Sequence, residues 1–251
     1  MSANPVTSGR IVQLDSRQHT ASDGDLVSLW VDQSGNGNNA ASSGSARPTY
    51  KTGIINSKPA MRFADKGMLG NLTGWGTPTG MQICCLVTNF SASTGYGGLG
   101  SISPAGLNDY ANSSSIILGG TTGAANKFGA GDSAANPYTF DVPNTSRLFF
   151  YSYGSSATGT ALGIGNGQVK TTRVMTLGTA QARYSIGCRI TGGAADNSVA
   201  VTADYCLYLV YNRVLSNAEF ADLGEWALSE FAASSGGTSR PSLPFSQQVI
   251  G

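Results

Sequence analysis

The chain has 251 residues, 12% of them charged and 40% apolar, with 34 glycines and a formal net charge of +1 from 15 basic and 14 acidic side chains. So little charge, with no basic block, excludes the Lys/Arg stripe of a nucleic-acid binder, and the gathering of apolar residues into discrete runs excludes a disordered chain. The length suits a single all-β domain, and no apolar stretch long enough to span a bilayer is present.

The first residues, Met1 to Pro5, carry no positive segment followed by an apolar one. Synthesis in a cytoplasm without a signal peptide is therefore expected. Residues 1–8 read as an N-terminal arm and 9–235 as one sandwich domain. Short apolar runs separated by Gly/Ser/Asn/Pro clusters predict strands over 9–15, 26–31, 59–64, 81–90, 114–118, 147–153, 161–164, 168–174, 184–190 and 205–211. The run 81–90 is almost continuously apolar, as expected of a strand buried on both faces. With no βαβ alternation, two antiparallel sheets packed face to face, their outward faces polar, are the natural solution. Ser216-Asn217-Ala218-Glu219 is a capping box, and Phe220, Leu223, Ala227 and Phe231 follow as one apolar stripe, predicting a closing helix over 216–232. Residues 236–251 read as an extended C-terminal arm. Its Leu243, Phe245, Val249 and Ile250 are candidates for assembly contacts with a neighbouring subunit, or for packing on their own domain.

Four cysteines, Cys84, Cys85, Cys188 and Cys206, lie in predicted strands without metal or redox spacing. Buried thiols are the default, although Cys188 and Cys206 could pair. The loop Asp32-Gln33-Ser34-Gly35-Asn36-Gly37 imitates the start of a calcium loop, but position twelve is Ser43 and no helices flank it. A tight turn built on Asp32 is the favoured reading. A weak Ca²⁺ site at this rim, using Asp23, Asp25, Asp32 and Asn36, is the leading metal hypothesis; no other cofactor is expected.

Carbohydrate sites combine aromatic platforms with polar hydrogen bonds. Trp75, Tyr96, Tyr110 and Tyr138 lie in Gly/Asn/Ser-rich stretches where a ring could face solvent. Trp75 is the best candidate, its alternative being a lid folded over the core, whereas Trp30 and Trp226 fall in core-facing patterns. The three glutamates, Glu219, Glu225 and Glu230, all lie on the closing helix, so the strand-borne carboxylate pair of a glycosidase is missing. The single histidine, His19, reads as a solvated loop residue.

The stretches L-D-S-R-Q, D-G-D-L-V-S-L-W-V-D-Q-S-G-N-G-N-N-A, R-P-T-Y-K and K-P-A-M-R-F, with Y-S-I-G-C-R and Y-L-V-Y-N-R-V-L-S-N-A-E-F-A-D-L near the C-terminus, resemble the laminin-G-like, concanavalin A-like lectin/glucanase jelly rolls. The resemblance implies an all-β, two-sheet antiparallel jelly roll with one C-terminal helix. Similar modules occur in tailed-phage structural proteins. The expected role is a non-enzymatic surface module of a phage virion: capsid decoration, head fibre or tail-associated protein. Its expected partners are other virion proteins or copies of itself, and cell-surface glycans besides, with neither nucleic acid nor membrane. A carbohydrate-binding lectin or adhesin outside the cell is the alternative, and a glycan hydrolase ranks last.

Overall fold

A computed structural model describes residues 2–75, 79–92, 97–109, 115–120, 127–132, 138–141, 149–156, 159–164, 167–171 and 181–232. In chain order the strands are β1 (Arg10–Asp15), β2 (Leu29–Trp30), β3 (Ala40–Ala41), β4 (Thr49–Ile55), β5 (Lys58–Phe63), β6 (Met68–Asn71), β7 (Gly80–Ala92), β8 (Gly98–Pro104) and β9 (Ile116–Gly120). They continue with β10 (Lys127–Asp132), β11 (Tyr138–Asp141), β12 (Phe149–Ser156), β13 (Gly159–Ile164), β14 (Gly167–Thr171), β15 (Gln181–Ile186), β16 (Arg189–Thr191), β17 (Ala194–Asp196) and β18 (Val201–Tyr211), and the helix α1 spans Asn217–Phe231.

The strands form two eight-stranded sheets and a β16–β17 ribbon. One sheet runs β14-β13-β12-β7-β18-β5-β4, with β1 also paired to β18; the other runs β11-β10-β9-β8-β15-β6-β3-β2. Among the described residues every strand pairing is antiparallel. The chain is therefore the all-β sandwich with one C-terminal helix that its pattern implied. β18 organises the first sheet: one edge carries β7, while the other is shared by β5 at Ala203–Tyr205 and β1 at Leu207–Tyr211.

Alternation lets β18 serve two cores, and a register shift between Tyr205 and Leu207 switches which residues face which. The extra residue of a bulge puts neighbours on the same face. Val201, Ala203, Tyr205, Tyr208 and Val210 thus point between the sheets, while Cys206, Leu207, Leu209 and Tyr211 point outward under α1. β7 alternates likewise, with Ile83, Cys85 and Val87 inward and Cys84 and Leu86 outward. The outward face of this sheet is consequently apolar, not polar as the two-layer expectation had it. α1 covers it with Phe220, Leu223, Trp226, Ala227 and Phe231, so the sandwich is capped by a third layer.

Polar groups cross the inter-sheet core where they find partners. Tyr205 Oη donates to the Leu99 carbonyl on β8 (2.8 Å) and Tyr208 Oη to the Ser185 carbonyl on β15 (3.0 Å). Gly100 makes the second possible, since a Cβ there would lie 2.5 Å from the Tyr208 hydroxyl.

α1 starts with the expected capping box: Ser216 Oγ accepts from Glu219 N–H, and the Glu219 carboxylate accepts from Ser216 N–H. Its last turn contains no basic residue. Donors from the β4–β5 hairpin replace one, with Asn56 Nδ2 on the Phe231 carbonyl and Lys58 Nζ on the Glu230 and Ala232 carbonyls.

Residues 2–8, expected as an arm, are instead strapped to their own domain. Val6 is buried beneath the helix layer, and its carbonyl accepts from Tyr211 Oη at 3.1 Å. Ser2 donates through both N–H and Oγ to Glu230, while its carbonyl accepts from Trp226 Nε1. The four cysteines are buried and joined by no disulfide, and burial holds the Cys188 thiol up at about 12. Among the described residues no helix is long and apolar enough to cross a membrane.

Candidate functional site

The rim loop folds as a turn locked from within. Asp32, 8% exposed, accepts from Gln13 N–H (2.8 Å), Ser34 N–H (2.9 Å), Ser34 Oγ (2.7 Å) and Asn38 N–H (3.0 Å). Gly35 and Gly37 take φ of +92° and +74°, which these small residues tolerate. Asn36 Nδ2 donates to the Arg10 and Ile11 carbonyls. The other two expected calcium ligands serve different turns: Asp23 binds Lys51 Nζ and Thr52 N–H, and Asp25 accepts from Ser22 N–H. Asp23, Asp25, Asp32 and Asn36 are thus spent on separate backbone contacts. Among the described residues no three of His, Cys, Asp and Glu gather as metal ligands. The sequence pattern was that of a turn, whose demand for side-chain acceptors beside backbone amides looks like a ligand set.

The aromatic candidates fare differently. Trp75 is 4% exposed and belongs to the inter-sheet core, so it is the lid over the core and not a platform for a sugar. Asn212 Nδ2 holds its carbonyl at 3.0 Å. Tyr138 opens β11 and pairs with Ala130, so it sits in a strand and not a loop. Tyr96 and Tyr110 lie outside the described residues, as do Leu243, Phe245, Val249 and Ile250.

Most described carboxylates are consumed by structure. Asp109, buried, holds Arg189 through both oxygens at 2.8 Å and accepts from Ile190 N–H. Asp204, buried on β18, pairs with Arg62 and accepts from Asn89 Nδ2. Asp15 and Glu230 share one cation, Arg17, which is bonded to both and stacked 4.6 Å over the Phe231 ring. Burial tends to raise the Glu230 carboxyl, but hydrogen bonds from Ser2 and Arg17 outweigh it and hold the group down at about 2. The Arg213 fork and the Ser216 contacts bring Glu219 to about 2 as well, against a smaller opposing effect of burial. His19 is half-buried against the Tyr50 ring (centroids 5.5 Å apart), not freely solvated, and burial lowers its pKa.

What the molecule presents at this end is an open depression of about 530 Å³ lined by His19, Thr20, Asp25, Leu26, Leu29 and Arg47, among others. It flanks β2, the edge strand of its sheet. Along 26–31 the chain buries Val27 and Trp30 and leaves Leu26, Leu29 and Val31 43–46% exposed. Reading this run as an ordinary strand missed that three of its four aliphatic residues face water. The signal was there in L-V-S-L-W-V, which holds five large apolar residues in six where a half-buried edge needs about three.

No protein-family model matches the chain, and neither does any curated protein sequence. Solved structures do match in fold. One is the Trypanosoma rangeli sialidase in complex with 2,3-difluoro-KDN, with a TM-score of 0.62 and 13% identity over 93% of this chain and 34% of the sialidase. The binding domain of botulinum neurotoxin serotype C1 aligns with a TM-score of 0.56 and 13% identity over 88% of this chain and 52% of that one. The binding domain of botulinum neurotoxin DC, in complex with SialylT, gives 0.51 and 9% over the same shares. The chain thus spans about a third of the sialidase and half of the toxin domains. At such identities the likeness is one of architecture, and it shows that this chain has a lectin-like β-sandwich fold.

Proposed function

We propose that the chain is a non-catalytic surface module, mounted in a larger particle such as a tailed-phage virion, that packs through its rim against further copies of itself. The observation that carries this reading is the edge at 26–31. Leu26, Leu29 and Val31 stand exposed beside an open depression with Arg47 at its margin. An apolar centre with an arginine at its border is the composition of a protein contact. A glycosidase acid on the closing helix is disfavoured at the same time, because such an acid must keep its proton near neutral pH. Glu219 and Glu230 are held down at about 2 instead. The apolar residues Leu243, Phe245, Val249 and Ile250 are proposed as a second, arm-like contact in the same assembly.

Sedimentation of the full chain over a concentration series tests the reading. Concentration-dependent association is expected, weakened about tenfold by Leu26→Ser with Leu29→Ser at unchanged circular dichroism. A chain that stays monomeric throughout, or that associates equally well with both leucines replaced, overturns it.

A further inference from the structure

The turn 32–38 carries Asn36 directly before Gly37, and both residues are exposed. Gly37 lies at φ +74°, with nothing within 4 Å of where a Cβ would stand. Among the described residues its N–H has no acceptor. The nitrogen of Gly37 and the side-chain Cγ of Asn36 stand at the separation along the chain that closes a five-membered ring, and joining them is an intramolecular step. A side chain at position 37 would shield that nitrogen, whereas glycine leaves it bare.

Against the reaction stand three bonds of Asn36 Nδ2: to the Arg10 carbonyl (3.2 Å), the Ile11 carbonyl (3.1 Å) and Ser34 Oγ (3.0 Å). They must yield before the amide can turn toward Gly37. Neutral bonds at a surface open to water contribute little each, so they slow the step without preventing it.

The same bonds make loss of the amide consequential. A bulge between Arg10 and Val12 leaves Ile11 out of register with β18, and the Ile11 carbonyl is satisfied from the turn by Ser34 Oγ, Asn36 Nδ2 and Asn38 Nδ2. An ionised acid at position 36 has no hydrogen to give. It would face two carbonyl oxygens of β1 and add a second negative charge beside Asp32, whose carboxylate takes the Ser34 hydroxyl at 2.7 Å. The Asn36 carbonyl also accepts from Thr73 Oγ1 (3.3 Å), on the stretch that leads to Trp75.

We propose that Asn36–Gly37 is a site of spontaneous self-modification, at which the chain converts its own amide to an acid and thereby loosens the rim turn from β1. Solvent base removes the Gly37 N–H proton and the nitrogen attacks Asn36 Cγ. The bond from Cγ to Nδ2 then breaks, and that nitrogen takes up a proton from water and leaves as ammonia. Water opens the resulting cyclic imide at either carbonyl. Opening at the former side-chain carbonyl gives aspartate, and opening at the main-chain carbonyl gives isoaspartate. One water is consumed and one ammonia released, with no change of oxidation state. The reaction makes no use of the edge at 26–31 and does not rest on the assembly reading.

The test is incubation of the full folded chain in mildly alkaline buffer, beside a sample unfolded in guanidinium chloride, followed by peptide mapping in a mass spectrometer. The peptide holding position 36 is expected to gain the mass difference between amide and acid and to split into two isomers. It does so more slowly than in the unfolded chain and more slowly still in mildly acidic buffer. Asn166-Gly167 falls elsewhere in the map and is scored separately. Gly37→Ala, with open space for its methyl, is expected to slow the conversion severalfold. Asn36→Asp, which installs the product directly, is expected to melt a few degrees below the wild type and to exchange its β1 amides faster. An amide still intact at position 36 of the folded chain when the unfolded chain is half converted overturns the site. Conversion at an equal rate in Gly37→Ala does so too. Asn36→Asp melting no lower than the wild type overturns the loosening.

Discussion

Within the inter-sheet core, single atoms decide what each position tolerates. Gly100 on β8 faces the Tyr208 ring, with 2.7 Å from a Cβ to the ring carbon Cε2, and neither sheet has room to retreat. Gly100→Ala is expected to cost about 1–3 kcal/mol in urea unfolding, through overpacking. Gly35 is the contrasting case: its φ is +92° but nothing lies within 4 Å. Gly35→Ala should cost only the backbone strain, about 1 kcal/mol. Equal losses at the two positions would refute the packing argument. Glu219 sets a pH dependence. Its folded carboxyl sits at about 2, below the ordinary carboxylate value of about 4.3, so its contribution is complete above the unfolded pKa and lost as pH falls toward the folded one. The melting-temperature gap between the wild type and Glu219→Gln should therefore be widest near neutral pH, narrow below about 4 and close near 2. At this scale the sequence was legible where one residue makes a local bond, as in the Asp32 turn. It was ambiguous where a side chain chooses between solvent and a distant core. Trp75 has glycines on both sides, which suits a displayed ring as well as a buried one.

Secondary-structure elements show the same division. The capping box at Ser216 is a contact within four residues, and the helix begins there as its pattern required. Ser216→Ala should lower stability by about 1 kcal/mol in thermal or urea unfolding. The long apolar runs of β7 and β18 were equally plain. Strands β6 (MLGN), β8 (GLGSISP) and β10 (KFGAGD) were not foreseen, because glycine weakens any strand signal. In the folded chain Gly70 and Gly100 are required by partners far away in sequence, since a Cβ at Gly70 would lie 2.0 Å from the Tyr184 ring. The residues that blurred the pattern make room for tyrosines: Gly100 for Tyr208, which crosses between the sheets, and Gly70 for Tyr184 on the next strand of its own sheet. The β4–β5 hairpin hid for a related reason: it turns at Asn56 and Ser57, both at positive φ, without the glycine that marks such turns.

At the level of the whole molecule, the fold class followed from alternation and spacing, but the number of layers did not. A continuous apolar strand announces that both its faces are covered without saying by what, and here α1 provides the cover. Removal of 239–251 is expected to leave the melting temperature within about 2 °C of the intact chain while reducing association in sedimentation. A large drop in melting temperature would show that this segment belongs to the domain itself. The strap also has a topological corollary. Ser2 is bonded to Glu230, two residues before the last described position, so the two extremities of the fold are stitched together on one side of the sandwich. A peptide of a few residues linking 232 to 2 would span that seam, and a new break at Gly44, in an exposed bend with open space around it, would yield a circular permutant with every sheet hydrogen bond intact. Such a permutant would present its free ends beside Arg47, at the margin of the exposed edge, turning a fastening into a handle.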